Sequence, residues 1–134
     1  MVTVEYRVAE ADRDGFLDLY VTRYVDYQPA KSCSGKAGRP DFCGPNAFRD
    51  VHDVVLRNET GSAGGEPRFA DVSAAAGIDK TFAAGLGVVC LDADGDGWQD
   101  VYVANDADPN QLWTNLGGGP GTYAIHFCME NPDL

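Results

Sequence analysis

The chain has 134 residues, a formal net charge of −11 and a sequence pI of about 4.3. So acidic a chain lacks the basic face that a nucleic-acid backbone requires. It contains no run of 18 or more apolar residues, which excludes a membrane-spanning helix, and its length suits one modest core.

Met1-Val-Thr-Val-Glu-Tyr-Arg7 lacks the charged and apolar regions of a signal peptide. Val2, Val4, Tyr6 and Val8 alternate as a strand over 2–9, so the chain starts as though inside a longer protein. An acidic loop, Glu10-Ala-Asp-Arg-Asp-Gly-Phe-Leu-Asp18, follows, and a strand is expected over 19–25. Residues 28–52 break the pattern with Pro29, Gly35, Gly38, Pro40, Gly44 and Pro45, and read as an irregular insertion. Cys33 and Cys43 flank its centre. A disulfide there would mean an oxidising compartment; the rival reading is two free thiols. The spacing and the absence of a following His pair do not suit zinc.

Beyond the insertion, Val54–Asn58 is a short strand, 59–66 a Gly-rich turn, 68–72 a strand and 73–77 one helical turn ending at Gly77. The second half repeats this order. Strand 86–91, which carries Cys90 as a small core residue, leads into Asp92-Ala-Asp-Gly-Asp-Gly-Trp-Gln-Asp100. Strand 101–104, a turn at 105–110, strand 111–115, a turn at 117–121 and strand 122–127 follow. Asp18 and Asn58 are 40 residues apart (58 − 18), Asp100 and Asn115 only 15 (115 − 100), and the difference of 25 is the length of the 28–52 insertion.

The two acidic loops carry the chemistry. Asp92, Asp94, Asp96 and Asp100 hold positions 1, 3, 5 and 9, with Gly97 at position 6. Four carboxylates in nine residues repel unless a cation joins them, and hard oxygen donors in this number suit Ca²⁺. The Trp98 carbonyl would add a fifth ligand. The loop is not an EF-hand, because position 12 is Val103 and both flanks read as strands. Glu10, Asp12, Asp14 and Asp18, with the Phe16 carbonyl, form the matching set, with a longer first ligand and Arg13 at position 4 as differences that would weaken it. The alternative for either loop is a solvated acidic turn. His52, beside Asp53, and His126 are expected to be structural or exposed. Tyr20, Tyr24, Tyr27, Trp98, Tyr102 and Trp113 are expected in the core or between sheets.

Two four-stranded units in tandem are the pattern of β-propeller blades. Asp92 to Asp106, Pro109-Asn110, Leu112-Trp-Thr-Asn115, Phe69-Ala-Asp-Val-Ser73 with Ala76-Gly-Ile78, and Cys43-Gly-Pro45 resemble the FG-GAP/VCBS repeat of integrin-like β-propellers. More narrowly they resemble the cartilage acidic protein group, secreted proteins carrying such repeats beside an ASPIC/UnbV domain. The resemblance runs from about residue 8 to 123. It implies an extracellular or periplasmic, non-catalytic Ca²⁺-binding module used in interaction or adhesion, with two cation sites. The alternative is the non-catalytic propeller portion of a secreted glycan or ester hydrolase. The expected architecture is all-β: two antiparallel propeller-type blades at 1–84 and 85–127, with a divergent tail at 128–134. Closure of a propeller takes typically 4–8 blades, so self-association or pairing with further blades is expected, without nucleic acid or a membrane span. After Tyr123 the family pattern would continue Asp-Val-Ser/Thr, whereas this chain reads Ala-Ile-His-Phe-Cys.

Overall fold

The structure, a computed structural model, describes residues 3–60, 65–118 and 125–128. Parts of the expected turns at 59–66 and 117–121, the start of the last expected strand and the tail from 129 onward lie outside these residues. The architecture is all-β. Strands β1 (Thr3–Ala9), β2 (Asp18–Arg23), β5 (Val54–Asn58) and β6 (Phe69–Asp71) form one four-stranded antiparallel sheet in the order β1-β2-β5-β6. Strands β7 (Gly85–Leu91), β8 (Asp100–Asn105), β9 (Gln111–Asn115) and β10 (Ile125–Cys128) form the second, in the order β10-β9-β8-β7. The insertion is more regular than expected. It carries β3 (Cys33–Ser34) paired with β4 (Pro40–Asp41), and two short 3-10 turns. Cys33 and Cys43 are disulfide-bonded, with Cα atoms 5.2 Å apart.

The two sheets share one register. Leu19↔Leu56, Tyr20↔Val55 and Val21↔Val54 in the first match Val101↔Trp113, Tyr102↔Leu112 and Val103↔Gln111 in the second. Even the irregularities match, because the β1–β2 ladder shifts between Thr3 and Glu5 and the β7–β8 ladder between Gly85 and Gly87. The period of two dictates which face each residue takes. In β2 the buried residues Asp18, Tyr20 and Thr22 alternate with the half-buried Leu19, Val21 and Arg23.

The core lies between the sheets. Tyr20 and Val55 of the first meet Val88, Val101, Val103 and Trp113 of the second, closed by Ala76 of helix α1 (Ser73–Ala76) and by Ile78 after it. Full burial of an aliphatic side chain such as Ile78 or Val103 contributes roughly 1.5–3 kcal/mol. Gly85 permits the close approach of β7 to β2, since a Cβ there would lie 3.1 Å from Thr22 Cβ and 3.3 Å from Asp53 Oδ1. The segment after β6 is anchored by its own polar groups. Asp71 Oδ1 accepts from the Ser73 N–H at 2.9 Å and the Ser73 hydroxyl at 2.6 Å, while Ser73 Oγ accepts from the Val55 N–H at 3.0 Å. These two donors lower the Asp71 pKa.

Three expectations need correction. The strand expected over 19–25 ends at Arg23, because the Arg23 N–H turns to Asp53 Oδ1 at 2.9 Å. Val25, beyond the strand end, is still buried. The last strand reaches Cys128, inside the expected 128–134 tail, and its register puts Ile125 at the position of Phe69, two residues later than the sequence pattern suggests. Tyr27 and Tyr102, expected to be packed, are 48% and 38% exposed.

Candidate metal centre

Each acidic loop joins the first two strands of its sheet and is built by its own carboxylates. In loop 92–100, Asp92 Oδ1 accepts from the Gly95 N–H at 2.8 Å and Asp92 Oδ2 from that of Gly97 at 2.9 Å. Asp94 Oδ1 accepts from the Asp96 N–H at 3.1 Å, and Asp96 Oδ1 from that of Trp98 at 2.7 Å. Gly95 and Gly97 take left-handed φ values of 81° and 87°, which a side chain would strain. Buried Asp100 ties both ends of the loop. Its Oδ2 accepts from the Ala93 N–H at 2.7 Å and its Oδ1 from the Asn115 N–H, at the end of β9, at 2.7 Å.

Loop 10–18 repeats this scheme. Glu10 Oε1 accepts from Gly15 at 2.8 Å, Asp12 Oδ1 from Asp14 at 3.2 Å and Asp14 Oδ1 from Phe16 at 2.8 Å. Buried Asp18 accepts from Ala11 at 3.0 Å and from Asn58, at the end of β5, at 2.9 Å. Asp18 and Asp100 are thus pins between a loop and the end of the third strand of each sheet in chain order. The repeat spacing marks both partners, but their joint role emerges only when the sheet brings them together.

The carboxylates converge differently in the two loops. Asp92, Asp94 and Asp100 each offer an oxygen within 4.8 Å of the others, and this is the one such group among the described residues. It could hold a metal ion. At about 4 Å, like charges repel by about 1 kcal/mol in water and about 4 kcal/mol at an effective dielectric of 20, so a cation there relieves a real cost. Asp96 lies outside the group and caps the Trp98 N–H instead. In the first loop Glu10, Asp12, Asp14 and Asp18 form no such group. There Asp12 is only 3% exposed, and its Oδ2 is buried without a hydrogen-bond partner. An uncompensated buried carboxylate oxygen is costly, and a cation is one way to satisfy it.

The loops also touch. Arg13 takes the left-handed conformation at position 4, with φ 56°, where the second loop has Gly95. Its guanidinium donates to the Gly97 carbonyl and lies 4.0 Å from the Trp98 ring centroid. The cation expected to disturb its own loop is therefore engaged with the other one. Asn115 Nδ2 adds a second link, donating to the Ala11 carbonyl at 2.9 Å.

A further pair was legible only by offset. Asp53 Oδ1 accepts from the Arg23 N–H and Asn110 Oδ1 from the Asn105 N–H, both at 2.9 Å, at equivalent positions of the two sheets. Asp53 also accepts from the Tyr20 hydroxyl at 3.0 Å. Burial raises the Asp53 pKa, with the Arg23 N–H and Tyr20 hydroxyl opposing, while burial and then the Asp53 charge raise Tyr20 well above the ordinary phenol value. His52 is committed locally, its Nδ1 2.7 Å from the Asp53 carbonyl and its ring edge-on to Phe82.

No family model, no curated protein and no solved structure matches this chain. No helix among the described residues is long and apolar enough to cross a membrane.

Proposed function

We propose that this chain is a calcium-binding, non-catalytic repeat module, its two sheets being β-propeller-type blades of an extracellular interaction protein. The observation that carries the reading is the convergence of Asp92, Asp94 and Asp100 in a loop already braced by main-chain N–H groups. All the donors are hard oxygens, without a His or Cys, on a largely exposed loop. That favours Ca²⁺ over the transition metals. Asp92, Asp94 and Asp100 would hold the ion, with Asp96 and the Trp98 carbonyl as further donors. Glu10, Asp12, Asp14, Asp18 and the Phe16 carbonyl would serve the first loop, where the orphaned Asp12 oxygen is the supporting sign. The bound ion would cancel carboxylate repulsion and clamp the hairpin.

The shared register of the two sheets supports the blade reading. The Cys33–Cys43 disulfide supports an oxidising, extracellular or periplasmic setting. Titration calorimetry, paired with thermal melts in millimolar Ca²⁺ and in EDTA, tests the proposal. With a Kd on the order of 10⁻⁴–10⁻³ M, millimolar Ca²⁺ adds about 0.4–1.4 kcal/mol per site. No binding heat and no shift in melting temperature would leave the loops as acidic turns.

A further inference from the structure

Directly opposed residues of neighbouring strands share a face, so each sheet has two distinct faces. In the first sheet one face carries Tyr20 and Val55, and the other carries Leu19, Val21 and Leu56. The repeat assigns Tyr102 and Leu112 of the second sheet to the Tyr20-type face, and Val101, Val103 and Trp113 to the Leu19-type face. The core is formed by the Tyr20-type face of the first sheet against the Leu19-type face of the second. The contact between the units is therefore head-to-tail, and among the described residues it leaves one face of each type on the outside.

The uncovered Tyr20-type face belongs to the second sheet. Tyr20 and Val55 are each 3% exposed, whereas Tyr102 is 38%, Val89 51% and Leu91 39% exposed, beside half-buried Leu112. On the first sheet the uncovered face holds the half-buried Leu19, Val21 and Leu56. The interface inside the chain specifies what fits on Tyr102, namely a Leu19-type face. A second copy carries one.

We infer that two copies of this chain associate head-to-tail, with Tyr102, Val89 and Leu112 of one docking on Leu19, Val21 and Leu56 of the other. The inference rests on the repeat reading of the sheets and is independent of cation binding. A heterologous contact leaves a free face at each end, so assembly proceeds past the dimer to a ring or a longer array. A net charge of −11 on each copy opposes the contact, so added salt strengthens it.

Sedimentation velocity on the full chain, from micromolar to near-millimolar concentration in about 0.15 M salt, tests this in Ca²⁺ and again in EDTA. Failure of the calcium reading leaves the readout in EDTA intact. The expected result is concentration-dependent growth beyond the dimer, strengthened by salt. Tyr102→Glu and Val89→Glu on one face, and Leu56→Glu on the other, should each weaken it by at least about tenfold. Tyr102→Glu mixed with Leu56→Glu should restore a 1:1 pair that grows no further, because each variant keeps one competent face. Circular dichroism checks folding, and Leu19→Glu replaces Leu56→Glu if the latter does not fold. A wild-type chain that stays monomeric throughout overturns the inference and leaves the Tyr102 face to a sheet of another protein. So does association unchanged by both Tyr102→Glu and Val89→Glu, or a mixture no better than its components.

Discussion

Loop 10–18 and loop 92–100 have matching hydrogen bonds, yet they differ in burial and in how their carboxylates group. Asp94 is exposed and belongs to a cluster with Asp92 and Asp100, while its counterpart Asp12 is buried with one oxygen unpaired. The first loop lies against the second unit, through Asn115 on the Ala11 carbonyl and Arg13 on Gly97 and Trp98. Spacing sets the fold of such a loop, and the neighbour it rests on sets the environment of its charges.

The largest expected effect tests what the loops share. Asp100→Ala and Asp18→Ala each remove a buried carboxylate that accepts two main-chain N–H bonds. Each should destabilise the metal-free chain by about 3 kcal/mol, a fall of roughly 10 °C in melting temperature by calorimetry. A loss in one loop only would show that the pins are not equivalent.

The next pair separates the loops. Asp94→Asn keeps the oxygen that accepts from Asp96 and removes a charge from the cluster. Calorimetric Ca²⁺ affinity should drop about tenfold, about 1.4 kcal/mol, with little change in EDTA stability. Asp12→Asn removes the charge of a buried carboxylate whose Oδ2 has no hydrogen-bond partner, so in EDTA it should leave the chain as stable or more so. Equal effects of the two substitutions in EDTA would erase the contrast in burial.

Smaller still is the pH effect of Asp53, whose counterpart in the second sheet is Asn110. Burial raises the Asp53 pKa, so between its ordinary value near 3.8 and its raised value the folded chain binds more proton than the unfolded one. The contribution of Asp53 is therefore present at low pH and lost as pH rises through that window. Asp53→Asn makes the first sheet resemble the second, and urea titrations across the window should lose this downward slope. A slope unaltered by the substitution would place its origin elsewhere.

Arg13→Gly has the smallest expected effect. It gives the first loop the residue type of Gly95, relieving a left-handed arginine that costs about 1 kcal/mol. It also forfeits the contact with Trp98, worth about 0.5–1 kcal/mol at an exposed site. Net stability should move by less than about 1 kcal/mol, while Trp98 fluorescence changes as its ring loses the guanidinium.

Much of this was legible along the chain. Alternation at Leu19-Tyr-Val and Val101-Tyr-Val indicates strands, and Asp-x-Asp-x-Asp-Gly gives loops whose side chains bond N–H groups two residues on, because these are local interactions. The offset from Asp18 to Asn58 against that from Asp100 to Asn115 exposed the repeat and the size of the insertion. Other features depended on residues far apart in sequence. Asp53, 30 residues from Arg23, ends β2, and Arg13 reaches Gly97 across 84 residues. Tyr20 and Tyr102 hold the same place in their repeats, and nothing in either segment distinguishes them. One is buried and the other open because, among the described residues, only one has a sheet stacked on its face. Sequence alone determined the alternation, the turns and the carboxylate spacing, which arise from steric and hydrogen-bonding forces within a few residues. Tertiary structure alone decided which carboxylates meet and which apolar face stays in water, because burial depends on what packs opposite.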